Sequence, residues 1–90
     1  MDEWMEMFLK NLIKNLDESI RGKIEVNYNP ATREIKVKIK GPYHLNWECI
    51  LCEMETKIQR GYATSASIAD TIINEYKMAL KYHIFNLALK

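Results

Sequence analysis

GPYHLNWECILCEMETKIQRG, residues 41–61, is the stretch on which the fold turns, because it carries two periodicities at once. Read as a helix, it opens on Gly41 and Pro42, closes at Gly61 and gathers Tyr43, Trp47, Ile50, Leu51, Met54 and Ile58 on one narrow face. Glu53 and Lys57 then form an i, i+4 pair outside that face. Read as strands, it gives Asn46 to Met54, a turn near Glu55 and Thr56, then Lys57 to Ala63. Periodicity favours the helix, since neither Glu55 nor Thr56 readily takes the positive φ of a tight hairpin turn. Burial favours strands: a lone hairpin is marginal in water, whereas three or four strands under two long helices make a stable domain of this size. The expectation drawn is the strand reading, with one hairpin plus three helices as the alternative.

Immediately upstream lies the clearest local signal. In Lys23 to Asn29, Ile24, Val26 and Tyr28 alternate with Glu25 and Asn27. In Arg33 to Lys40, Ile35, Val37 and Ile39 alternate with Glu34, Lys36, Lys38 and Lys40. Alternation of this kind is that of a hairpin with one face on a core and one in water. Asn29, Pro30, Ala31 and Thr32 supply its turn. The three lysines at two-residue spacing keep a sheet soluble and discourage edge pairing, and the same spacing suits contacts with phosphates.

Two helices flank this region. Asp2 to Arg21 predicts the first, with Asp2 as its cap, Glu3 and Glu6 at the positive end of its dipole and Gly22 just beyond its end. Trp4, Phe8, Leu12, Leu16 and Ile20 line one side, and Met5, Leu9 and Ile13 widen the apolar arc. Ser67 to Lys90 predicts the second, with Ser67 as its cap and Asp70 three residues on. Its first stripe, Ile68, Ile72, Tyr76, Ala79, Leu80, Ile84 and Leu87, can face a core. Met78, Tyr82, Phe85 and Leu89 form a second stripe spaced four, three and four, the spacing of a packing seam. Both stripes need cover, from the domain itself or from another chain.

Composition sets the limits. Ninety residues make one domain spanning 1–90, and a chain of this size buries only about 60–65% of its unfolded surface, so a partner adds stability. Thirteen basic and twelve acidic side chains leave a net charge of +1, which gives no whole-molecule field for nucleic acid or anionic lipid. The opening Met1, Asp2, Glu3 has the wrong sign for a signal peptide, and no apolar run approaches the ~18 residues of a membrane span. A cytoplasmic protein without a membrane partner is expected. Two cysteines suit a reducing compartment and are too few for a disulfide framework.

Chemistry-bearing residues are sparse. Cys49 and Cys52 form a CxxC, and with His44 and His83 they make up the minimum of four zinc ligands. Glu48 and Glu53 flank the pair and disfavour thiolate formation, and core packing is the simpler use of both thiols. His83 interrupts the first stripe of the last helix with no Ser, Cys or carboxylate at a spacing that marks a catalytic partner. There is no glycine-rich phosphate loop. No enzyme, no cofactor and no metal is therefore expected.

Gly41, Pro42, Tyr43 and His44, followed by Gly61, Tyr62, Ala63, Thr64, Ser65 and Ala69, resemble two motifs of the double-stranded RNA-binding domain: its GPxH loop and its GxGxS…A junction of strand and helix. The resemblance covers about the last two thirds of the chain and implies strands through residues 46–63. It also implies a loop histidine, His44, for an RNA minor groove. The family's basic cluster at the start of the last helix is here Ala66, Ser67 and Asp70, and the junction's second glycine is Ala63. The likeness therefore implies the fold without strong RNA binding, and a use in protein contact.

These readings combine into an α+β domain with an N-terminal helix, an antiparallel meander and a long C-terminal helix on one face. The expected function is a small non-enzymatic interaction module, a homodimer or a module docked on a larger partner. It would use Met78, Tyr82, Phe85 and Leu89, with Trp4 and Phe8. The alternative is weak nucleic-acid binding through Arg33, Lys36, Lys38 and Lys40, with His44 at the rim.

Overall fold

The computed structural model describes residues 3–89, the side chain of Glu55 excepted, so the cap expected from Asp2 lies outside the described residues. Helix α1 (Glu3–Ser19) leads into β1 (Lys23–Asn29), β2 (Glu34–Lys40) and β3 (Asn46–Cys52), then into a short α2 (Met54–Gln59) and a long α3 (Ser65–Ala88). The strands form an antiparallel meander in the order β1-β2-β3. This is the expected α+β architecture.

Alternation in the strands decides which face is covered. Ile35, Val37 and Ile39 of the central strand are wholly buried, and Ile24, Val26, Tyr28, Trp47, Cys49 and Leu51 from its neighbours pack beside them. Helices α1 and α3 cover this face with Met5, Leu12 and Leu16 from one and Ile68, Ile72 and Tyr76 from the other. The opposite face carries Lys23, Glu25, Lys38, Lys40 and Glu48 in water. Hydrophobic burial drives the arrangement, since no polar or charged residue lies in the core among the described residues.

The hairpin forms where expected, except that its second strand starts at Glu34. Arg33 takes φ 58° and belongs to the turn, where the Asn29 side-chain oxygen accepts from the Ala31 N–H at 3.0 Å. Gly22, just before β1, has φ 155° and sits where a Cβ would meet the Lys40 carbonyl oxygen at 2.5 Å, so only glycine lets the link from α1 enter β1 this close to the end of β2.

The deciding stretch divides between the two readings. Residues 46–52 are a strand, and the expected fourth strand at Lys57 to Ala63 is replaced by α2 and a turn. The chain reverses at Glu53, which takes φ 57°, and not at Glu55 and Thr56. Once it has turned, Met54 and Ile58, four apart, reach the core as a single helical pair. Tyr62 and Ala63 N–H then both donate to the Lys57 carbonyl and close that helix. The last helix also starts earlier than expected: its cap is Thr64, whose hydroxyl accepts from Ser67 N–H at 3.1 Å while the Thr64 N–H donates to Ser67 Oγ at 3.0 Å.

Candidate docking face on the last helix

Lengths explain why α3 has a part outside the domain. A seven-residue strand spans about 23 Å and a 24-residue helix about 36 Å. Helix α3 is seated on the sheet up to Tyr76, whose ring meets Trp47 edge-on with centroids 6.0 Å apart. Beyond it, Leu80 still packs on the core, whereas Ile84 and Leu87 are 44% and 43% exposed. The first stripe, expected to face the core along its whole length, does so only as far as the sheet reaches.

One hydrogen bond tethers the overrunning part. The His83 ring nitrogen Nε2 lies 2.7 Å from the Tyr43 carbonyl oxygen and donates to it. That carbonyl belongs to the turn between β2 and β3, where Leu45 N–H donates to the Pro42 carbonyl at 3.2 Å. Tyr43 and His44 both take positive φ, 58° and 61°, in a two-residue turn that normally uses Asn and Gly. His83 thus braces a strained turn.

The second stripe is open. Met78, Tyr82, Phe85 and Leu89 are 64%, 68%, 59% and 70% exposed, and Met78, Lys81, Tyr82 and Phe85 line an apolar groove along the helix. At about 100° per residue, the four lie within an arc of roughly 60° on the side of α3 opposite Ile72, Tyr76 and Leu80. The same arc in the seated half carries Ser67, Thr71 and Asn74, all exposed. The outer face of one helix therefore changes from polar to apolar at Met78, where the helix leaves the sheet.

Trp4 and Phe8 do not join this face. Phe8 is core, and Trp4 lines a separate groove with Met7, Ile58 and Ser65. Ser65 opens α3, about 30 Å along the helix axis from Phe85. The exposed Met7 in that groove carries no signal in the sequence, because it falls outside both apolar lines of α1.

The basic candidates are dispersed and partly neutralised. Arg33 and His44 sit at opposite ends of the seven-residue β2. Lys38 stands between Glu25 and Glu48 in the strand register, and Lys36 Nζ pairs with Glu48 Oε1 at 3.2 Å. Glu25 is held below its ordinary pKa by the Asn27 side-chain hydrogen bond first and by Lys38, Lys23 and Lys40 after it. Lys40 has Lys23 directly opposite, a basic neighbour visible only once the register is known.

The four candidate metal ligands are also separated. Three residues apart on a strand, Cys49 and Cys52 point to opposite faces: Cys49 is half-buried toward the core and Cys52 is exposed. Burial, with smaller contributions from Glu75 and Glu48, pushes the Cys49 thiol up to about 11, so it is no ready thiolate. His44 projects from the turn and His83 is engaged with Tyr43. No group of three or more His, Cys, Asp or Glu among the described residues has the geometry to hold a metal.

No family model matches the chain, and comparison with curated proteins and with solved structures likewise gives no match. Among the described residues, no helix is long and apolar enough to cross a membrane.

Proposed function

We propose that this chain is a small non-enzymatic interaction module that docks on protein through the outer face of the overrunning half of α3. The observation that carries the reading is the exposure of Met78, Tyr82, Phe85 and Leu89 on one line of a helix whose seated half is polar on that same line. Contiguous apolar surface rimmed by polar residues is the usual mark of a protein contact. Four such side chains offer about 1.5–3 kcal/mol each if fully buried, against the cost of association. The resemblance to the double-stranded RNA-binding domain bears on the same reading. The order here is one helix, three strands, the short α2 and a final long helix, so Gly61 to Ser65 join two helices where the likeness implies a strand running into a helix, and the start of α3 lacks the basic cluster that would grip phosphate.

The test is a pair of charged substitutions, Tyr82→Glu and Phe85→Glu, read by thermal melting and by retention on a phenyl resin. Folded variants with lost retention support an open docking face. Variants that unfold show instead that the face belongs to the domain's own core and overturn the reading.

A further inference from the structure

Resting on that reading, we infer that the docking partner is a second copy of this chain, with the two overrunning halves of α3 packed antiparallel about a two-fold axis. The spacing four, three, four is unchanged when the helix direction is reversed. Antiparallel pairing then sets Met78 against Leu89 of the second copy and Tyr82 against its Phe85, four layers that use all four side chains and leave none facing water. Side chains of this size expose roughly 175–225 Å² when fully open, so at their observed exposures the four contribute at most about 500 Å² per chain and about 1,000 Å² per pair. That is the lower bound for a specific interface before any flanking contact is added.

The flanks favour the same arrangement. On either side of the seam the antiparallel pairing brings Lys81 beside Ala88 and Ala79 beside Asn86, so no like charges meet and small residues permit close approach. Parallel pairing continues the seam one step back to Glu75 and places two Glu75 carboxylates in one layer, a like-charge contact that opposes it. It also aligns the polar Thr71 positions of the two chains. Antiparallel pairing stops the overlap at Met78 and sends the two folded bodies to opposite ends.

Light scattering behind a sizing column, across a dilution series, is expected to give twice the 10.6 kDa chain mass at high concentration and dissociation near the micromolar range, as an interface of this small size implies. Phe85→Glu is expected to weaken the dimer at least 100-fold while the chain stays folded. Ile84→Lys, on the opposite side of the helix, is expected to leave it within about threefold, whereas a partner gripping both sides would lose both. Orientation is read by a spin label at Asp70→Cys in a chain carrying Cys49→Ala and Cys52→Ser. The antiparallel pair puts the two labels about 40 Å apart, and the parallel pair brings them within about 25 Å. A short distance overturns the antiparallel inference. A wild-type monomer at all concentrations, with charged variants that fold and lose phenyl retention, overturns the second copy and leaves the docking face standing. Charged variants that unfold overturn both.

Discussion

The two halves of α3 carry similar numbers of apolar residues, and the fold treats them in opposite ways. From Ser65 to Tyr76, five residues face inward below 10% exposure and the outer face is Ser, Thr and Asn. From Lys77 to Ala88 the inward stripe loosens, and the outer face becomes Met, Tyr and Phe. A helix that outruns its sheet can end in polar residues at no cost, because water satisfies them. Apolar residues there raise the free energy of the lone chain's surface, and only a second contact recovers it. The difference between the halves separates residues that hold the domain together from residues that the proposed docking face would use.

A matched truncation in each half gives the largest expected difference between them. Ile72 is 1% exposed, and Ile72→Ala should cost about 2–5 kcal/mol by leaving a cavity. For a domain of this size that lowers the melting temperature by roughly 10–30 °C. Phe85→Ala, measured at concentrations low enough to keep the chain monomeric, should stay within about 0.5 kcal/mol of the parent. Comparable losses from the two would show that the outer face contributes to the monomer's core.

The junction between the halves gives the next effect. A Cβ on Gly41 would collide with the Tyr76 hydroxyl, and that hydroxyl is buried with no hydrogen-bond partner among the described residues. Gly41→Ala should therefore cost about 1–3 kcal/mol through displacement of the tyrosine. Tyr76→Phe removes an unsatisfied polar atom and should be neutral or stabilising by about 1 kcal/mol. In the phenylalanine background, Gly41→Ala should cost measurably less than alone, since its nearest neighbour becomes the ring carbon at 3.1 Å. Additive effects in this cycle would mean that the glycine is needed for another reason.

Much of this was legible in the chain. The hairpin is legible nearly to the residue because period-two alternation reports burial directly, and β3 begins at the expected Asn46. The end of β3 was not legible, because Glu53 reverses the chain at a positive φ that its residue type does not advertise. Glu55 and Thr56 do make a poor turn, and the reversal lies two residues before Glu55. The helical spacing in residues 43–58 was real only at Met54 and Ile58. On the candidate face, the second stripe was visible as a pattern and its exposure was not. Exposure depends on where the sheet ends beneath the helix, a property of three strands together. Trp4 and Phe8 looked like further members of that face for the same reason, since sequence gives the phase of a helix and not its distance from another.

A smaller effect probes the tether between the overrunning half and the body. His83→Ala removes the 2.7 Å bond to the Tyr43 carbonyl and should cost about 0.5–1.5 kcal/mol. His44→Gly relieves one of the two positive-φ residues in that turn and should stabilise by up to about 1 kcal/mol. If the tether matters to the turn, His83→Ala should be partly rescued by His44→Gly. Full additivity would show that helix and turn are energetically separate, and that α3 beyond Tyr76 is held by side-chain packing alone.

The smallest effects belong to the outer face of the sheet, the other large surface that looks away from the core. Its lysines are interleaved with glutamates, and the Lys36–Glu48 pair is a little under half exposed on both sides. Such pairs contribute at most about 1 kcal/mol, because water screens them and two long side chains must be held still. Lys36→Ala and Lys38→Ala should each change stability by less than about 0.5 kcal/mol, as thermal melts at two salt concentrations can resolve. The same variants examine the nucleic-acid alternative. If this face bound phosphates, affinity for a single-stranded oligonucleotide would fall steeply with salt, and each lost lysine would flatten that slope by roughly one counterion. The cross-strand carboxylates argue for the other outcome, because a phosphate approaching Lys38 meets Glu25 and Glu48 on either side. Neutralising those two glutamates together should create weak, salt-sensitive binding where the parent has none. Steep salt-dependent binding by the parent itself would instead make the sheet, and not α3, the surface that connects this domain to its partner.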